Sequence, residues 1–242
     1  MIRKASLVLG AIAVLARPCF AQNAAAPASE VHQLALEDQR DRIAYAQATD
    51  AKKMQEASEL MAAHDVSRRK QVHELLEQGV LRTAADFADA ALIYQHGEKP
   101  DDYLLAHVLA MVALEKGDRR ARSLCAVTLD RYLQSIGEAQ VFGTQYLTRG
   151  YAEMLQQARA ARQAASDGKR EVPDHGKVGS GSTKPAAQSP DQWIQEPYNP
   201  MLISDALRAI YCVESVEDQK GKVAALNGGK EAPERSIPGC SK

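Results

Sequence analysis

Three equally spaced glycines divide the middle of the chain into segments of helix length. Gly97, Gly117 and Gly137 are 20 residues apart, and the segments between them place apolar side chains at helical spacing. A left-handed glycine commonly ends an α-helix, and a helix that follows almost at once runs antiparallel to the first. The spacing therefore predicts a mostly α fold, either an antiparallel helical bundle or a short solenoid with units of about 40 residues.

Helix-start signals extend this pattern toward the N-terminus. Ser29 can cap a first helix that is broken near Asp50, and a further helix is expected to start at about Asp65. Thr83 and Asp86 have the spacing of a capping box. Aromatic residues make up only 5% of the chain, and alanine is abundant, which favours packed helices over a β-sandwich.

A short two-stranded addition is expected on the C-terminal side. The segment VFGTQYL at 141–147 alternates like a strand and is predicted to pair with QWIQEPY at 192–198. Between them, a helical stretch is followed by a Gly-, Pro- and Ser-rich stretch that reads as linker. The predicted organisation is a helical core with its Gly-Thr-Gln strand, an insertion, a returning strand and helix, and a flexible tail: 29–150, 151–190, 191–216 and 217–242.

The N-terminus has the pattern of a secretory signal peptide over residues 1–21. A basic start with Arg3 and Lys4 precedes an apolar run of about a dozen residues, and small residues lie near Ala21. That run is too short for a bilayer core of roughly 30 Å, and no later segment is apolar enough to insert. A periplasmic or secreted protein is expected.

Cysteine positions and charge restrict the partners. After cleavage Cys125, Cys212 and Cys240 remain. In an oxidising compartment the two tail cysteines are predicted to pair, whereas Cys125 lies in an apolar run as a buried thiol. With 30 basic and 31 acidic residues, no strong field draws in nucleic acid. Histidine and cysteine spacings suggest no metal, and no cofactor motif occurs.

One carboxylate lies in an apolar setting. Asp130 is flanked by small or apolar side chains on a helical wheel, and a buried carboxylate is costly without a cation or several donors. We therefore predict that Asp130 faces away from solvent and is held by arginine, with Arg42 the first candidate and Arg131 the second.

Four motifs resemble an uncharacterised bacterial family, one of the domains of unknown function. They are DQRDR at 38–42, QH at 95–96, DR at 130–131 and GEAQVFGTQ at 137–145, and the similarity covers about residues 34–148. The chain departs from the family at Val80-Leu81, where Trp-Pro is usual, and in its insertion. The resemblance supplies no reaction, but it implies these site residues: Gln39, Arg42, His96, Asp130, Arg131, Gln140, Thr144 and Gln145.

Three functions fit this set of side chains. The first choice is a periplasmic binding or interaction protein whose polar cluster holds a small polar ligand or a peptide end. The alternative is a hydrolase or lyase in which His96 and Asp130 exchange protons. A third is a structural protein whose polar cluster only ties helices to the hairpin. The sequence leaves catalysis and oligomeric state open.

Overall fold

Eight α-helices and one small antiparallel sheet form the part of the chain described by the computed structural model, residues 29–167, 189–231 and 236–240. The helices are α1 Glu30–Ala46, α2 Ala51–Glu77, α3 Ala84–Gln95, α4 Pro100–Glu115, α5 Ala121–Ile136, α6 Arg149–Asp167, α7 Asp205–Ile210 and α8 Val216–Asn227. The strands are β1 Leu147–Thr148 and β2 Trp193–Ile194. The predicted fold class, mostly α with a two-stranded addition, is confirmed.

Side-chain caps begin the first three helices where the sequence places them. The side chains of Ser29 and Asp50 accept the N–H groups that start α1 and α2, and Thr83 with Asp86 forms the predicted capping box. The predicted break near Asp50 is confirmed. The separate helix start at Asp65 is wrong, because α2 contains neither glycine nor proline and continues through it.

Asp86 is the most heavily hydrogen-bonded of these caps. Its carboxylate accepts the N–H groups of Thr83 and Arg82 at 2.8 and 3.0 Å. Burial raises the pKa of Asp86, but these bonds and those from the Ser29 and Thr83 hydroxyls outweigh it and lower the pKa to about 2. The charged form is therefore the one that the start of α3 stabilises.

The glycine-ended helices pack in sequence order. Helix α1 packs on α2 and α3, α3 on α4, and α4 on α5. Gly117 and Gly137 have the predicted left-handed conformation, with φ of 100° and 90°. The same prediction is wrong for Gly97, whose φ is not positive, and His96 is the C-cap of α3. Glycine is required there for another reason: a Cβ atom at Gly97 would overlap the side chain of Asp102.

Fully buried alanines form the contact between α3 and α4. Ala90, Ala91, Ala106 and Ala110 have no exposed surface, and Val72 of α2 packs into the same core. Small side chains let neighbouring helices approach closely. The alanine-rich composition is thus used at helix contacts, as the sequence predicts.

The predicted pairing across the insertion is confirmed in a shorter form. Leu147 pairs with Ile194 and Thr148 with Trp193. Residues 141–146 were expected to be strand, but they form a loop whose N–H groups turn toward a helix side chain. The outer edge of β2 is covered by the Asn227 amide, which bonds the N–H and the carbonyl of Trp193 at 2.8 and 3.0 Å.

The C-terminal region is more ordered than the sequence predicts. A flexible tail was expected from residue 217, but residues 216–227 form α8, whose Gln219 is buried. The predicted Cys212–Cys240 disulfide is present, and Cys125 is a buried free thiol. Burial raises the pKa of Cys125 to about 11, so the thiol stays protonated at neutral pH.

The predicted signal peptide and part of the predicted insertion lie outside the described residues. These are residues 1–21 and residues 168–188. Within the three described ranges, no helix combines the length and the apolar character needed to cross a membrane.

Candidate functional site

Asp130 is fully buried and accepts four hydrogen bonds from the loop that follows α5. One carboxylate oxygen accepts the N–H groups of Val141 and Phe142 at 2.8 and 3.0 Å. The other accepts the N–H and the hydroxyl of Thr144 at 2.8 and 2.9 Å. The predicted burial is confirmed. The predicted arginine partner is wrong, because the returning loop brings enough donors to satisfy the charge.

Two glutamines and a glycine hold this loop in shape. The side chain of Gln140 accepts the N–H of Gln145 at 2.8 Å and donates to the carbonyls of Gln145 and Gln195 at 3.0 and 2.5 Å. Gly143 has φ of 80°, and a Cβ atom there would overlap Gln195 and Gln219. Asp130, Gln140 and Thr144 thus form a network whose hydrogen-bond partners are protein atoms.

A second buried carboxylate, Asp38 of α1, was not among the predicted site residues. It accepts hydrogen bonds from Gln39 Nε2 at 2.9 Å and His96 Nδ1 at 3.1 Å, and Arg42 Nη1 lies 3.0 Å from it. Asp38 has no exposed surface. Three of the predicted residues thus converge on Asp38, which is the first residue of the DQRDR motif.

An ion-pair network behind Asp38 fixes α1 against α2. Arg42 forms two bonds to Asp65 at 3.2 and 2.9 Å. Arg68 bonds Asp65 and Asp41, each at 2.7 Å. Burial raises the pKa of Asp65, but the two arginines outweigh it and lower that pKa. Neither Asp65 nor Arg68 was predicted, and their only sequence signal is their spacing of three residues on a helix.

His96 is held in one tautomer with its second nitrogen open. A carboxylate can only accept, so Nδ1 carries the proton that binds Asp38. Nε2 has no hydrogen-bond partner among the described residues and is not among the buried unpartnered atoms, so solvent reaches it. Burial lowers the pKa of His96, Asp38 raises it, and Arg42 and Arg131 lower it further. The net lowering keeps the ring neutral at pH 7.

Arg131 lies between the residues around Asp130 and the residues around Asp38, and it has no acidic partner among the described residues. Its Nε donates to Gln145 Oε1 at 3.1 Å, and its Nη1 donates to the carbonyl of Gln95 at 2.9 Å. Among the described residues, no carboxylate lies within ion-pair distance of it. Burial lowers the pKa of Arg131, and among charged groups Arg42 lowers it further. Arg131 is thus a mostly buried cation without a counter-ion.

Arg131 lines a cavity of about 200 Å³ between α5, the loop and α6. Tyr103 and Gln145 line it from the core side, and Tyr151 and Arg159 line it from α6. A second cavity, of about 600 Å³, shares four lining residues with the first: Gln134, Leu147, Leu155 and Arg159. Helix α6, which starts the predicted insertion, is therefore a wall of both cavities.

A buried amide lies where the two cavities meet. Gln134 is 6% exposed, and its Nε2 has no hydrogen-bond acceptor. An unpaired buried donor costs about 1–3 kcal/mol. Gln134 Nε2 and the Arg131 guanidinium therefore both offer hydrogen-bond donors that the described protein atoms leave without an acceptor.

The predicted residues therefore divide into a structural group and an open group. Asp130, Gln140 and Thr144 are enclosed by protein. His96 and Arg131 keep atoms without protein partners, and Gln39, Arg42 and Gln145 hold these two in place. His96 and Asp130 do not bond each other. In the described part of the chain, no group of three His, Cys, Asp or Glu residues is placed to hold a metal ion.

Comparison of the chain with protein families, curated proteins and solved structures finds no match. The resemblance to a domain-of-unknown-function family stays a prediction.

Proposed function

We propose that this chain is an exported binding protein that holds the carboxylate of a small molecule or a peptide end at Arg131. The observation that carries the proposal is a mostly buried guanidinium without an acidic partner in the described residues, lining a cavity. Removing a cation from water without an anion is costly. A bound carboxylate supplies that anion.

The arrangement around Arg131 suits a carboxylate. The planar guanidinium presents donors in a fork that matches two carboxylate oxygens. Nε and Nη1 are used to position the group, and Nη2 has no acceptor within residues 29–167, 189–231 and 236–240. Arg159 lies on the facing wall, where its Nε donates to the Ser135 carbonyl at 3.1 Å. The adjoining cavity of about 600 Å³ has room for the rest of the ligand.

A pair of matched peptides tests this proposal. We expect acetyl-Ala-Ala with a free carboxylate to bind in isothermal titration calorimetry, and its C-terminal amide to bind at least about tenfold more weakly. Arg131→Gln should weaken binding of the acid by about 10–100-fold, since a hydrogen bond to a charged group contributes about 1.5–3 kcal/mol.

Arg120→Gln is the matched control, because Arg120 is exposed and lines neither cavity. Its Nη2 lies 2.8 Å from Oδ2 of Asp118. The affinity of this variant should equal that of the unmodified protein. Equal binding of the acid and the amide, or unchanged binding by a folded Arg131→Gln variant, would contradict the proposal.

Export is part of the same proposal. It is supported by the basic-then-apolar N-terminus and by the Cys212–Cys240 bridge, which is typical of oxidising compartments. We expect the protein recovered from a bacterial periplasm or medium to begin near Gln22, as read from intact mass. A recovered protein that retains Met1 would count against export by signal cleavage.

A further inference from the structure

We propose that the Asp38–His96 pair is a general base, so that this protein hydrolyses an ester bond in the carboxylate-bearing ligand held at Arg131. The inference rests on the proposed function and goes beyond it, because binding alone needs no base. His96 is the catalytic residue, and Asp38 is a positioning residue.

The first support is the way in which Asp38 orients the imidazole. Asp38 is fully buried, and Gln39 and Arg42 hold it from the same helix. It binds Nδ1 of His96 and leaves the lone pair of Nε2 directed away from the carboxylate. In a hydrolytic triad, a buried acid fixes the tautomer and the orientation of the histidine in this way.

The second support is that the chain segment around His96 is hydrogen-bonded to residues that line the cationic cavity. The residue before it, Gln95, accepts a bond from Arg131 Nη1 through its carbonyl. Two residues after it, Glu98 lines the cavity of Arg131. Tyr103, another lining residue, donates to the carbonyl of Gly97 at 2.7 Å. The segment that contains His96 is therefore hydrogen-bonded on both sides of His96 to residues that line the cavity of Arg131.

Two other Asp–His pairs among the described residues lack this setting. His32 bonds Asp89 at 2.8 Å and His64 bonds Asp41 at 3.0 Å. The side chains of His32 and His64 are 45% and 46% exposed, whereas that of His96 is 15% exposed. Neither histidine lies in a segment bonded to Arg131. The His32 pair therefore serves as a matched control.

The reaction needs only water. Water gives a proton to Nε2 of His96 while its oxygen forms a bond to the ester carbonyl carbon, and the carbonyl π electrons move to the carbonyl oxygen. When that pair returns, the bond to the alcohol oxygen breaks. The leaving oxygen keeps the bond electrons and takes the proton from the imidazolium. The products are a carboxylic acid and an alcohol, and His96 is neutral again.

Charged groups from three elements set the pH dependence. Asp38 and Arg42 face His96 from α1, Arg131 faces it from α5, and Arg69 of α2 bonds its carbonyl at 2.9 Å. Burial and the arginines outweigh Asp38, so the pKa lies below 6.5. Activity is expected to rise with pH through this lowered pKa and to level off above it.

The test uses the 4-nitrophenyl monoester of succinic acid, which carries a free carboxylate. We expect the unmodified protein to release nitrophenol from this ester faster than from 4-nitrophenyl acetate. His96→Gln should lower kcat by about 100-fold or more, the typical contribution of a positioned base, and leave calorimetric binding of acetyl-Ala-Ala unchanged. His32→Gln should keep the full rate.

A second variant separates a catalytic role from a structural one. Added imidazole should restore part of the rate of His96→Ala, because the free base can enter the space that the side chain left. Asp38→Asn should lower kcat and move the midpoint of the pH profile down, because Asp38 raises the pKa of His96.

Each failure has a separate meaning. If acetyl-Ala-Ala binds through Arg131 but the ester is not hydrolysed, or if His96→Gln keeps its rate, the catalytic inference is overturned and the binding function stands. If imidazole restores nothing and His96→Ala has also lost binding, His96 is structural and the inference is likewise overturned. If the unmodified protein binds no carboxylate, both proposals fall.

Discussion

Asp130→Ala is expected to lower the free energy of unfolding by about 3–5 kcal/mol, measured by urea titration at pH 7. The substitution leaves the N–H groups of Val141, Phe142 and Thr144 and the Thr144 hydroxyl without their acceptor. Each buried donor without a partner costs about 1–3 kcal/mol. Water that enters the space of the lost carboxylate recovers part of that, so the total falls below the simple sum.

Two further variants check that the loss comes from these four bonds. Asp130→Asn keeps the shape but turns an NH₂ group toward donors, so its loss should be smaller than that of alanine yet clearly measurable. Glu138→Ala removes an exposed acid just after α5 and should change stability by no more than about 0.5 kcal/mol. An Asp130→Ala protein as stable as Glu138→Ala would mean that the loop is held by other contacts.

The helical part of the fold could be predicted because its signals are local. Thr83 with Asp86, and Gly117 and Gly137, act through the backbone within a few residues of themselves. The strand predicted at 141–147 is too long, because the contact that shortens it comes from a residue outside the segment. Its alternation is strand-like, but Asp130, a helix residue, takes three of its N–H groups, and that contact is not visible in the segment itself.

Helix α8 illustrates the same limit. Its sequence is low in apolar residues, so hydrophobic pattern suggests a flexible tail. In the structure Gln219 is buried and donates to the carbonyls of Phe142 and Glu214, both at 2.9 Å. This helix is held by polar contacts as well as by burial, and polar contacts of this kind leave no periodic pattern in a sequence.

The sequence suggested several residues of the candidate site, but it suggested neither Asp38 nor the pairings. A buried Asp130 requires hydrogen-bond donors or a cation, and the sequence cannot distinguish an arginine from a set of backbone N–H groups. His96 and Asp38 are 58 residues apart, so only the folded chain shows that they meet. Arg131 became informative because no carboxylate of the described residues lies within ion-pair distance of it, which again only the tertiary structure shows.

The second large effect is expected on breaking the Cys212–Cys240 bridge. The bridge joins residues 28 positions apart, and closing a loop of that length in the unfolded chain contributes about 3.5 kcal/mol by the chain-entropy model. The Cys212→Ala, Cys240→Ala double variant should therefore unfold at a lower urea concentration, by a free energy near this value. Added reductant should lower the stability of the unmodified protein and leave the variant unchanged.

The loss should also reach the loop around Asp130. The bridged segment contains α8, and Gln219 of α8 contacts that loop through the carbonyl of Phe142. We therefore expect the amide protons of residues 141–144 to exchange faster in the double variant, while those of α3 and α4 change only with global stability. Thiol labelling of the folded, unreduced protein should modify neither tail cysteine. Equal stability with and without reductant would show that α8 is held by its own contacts and that the bridge adds nothing to them.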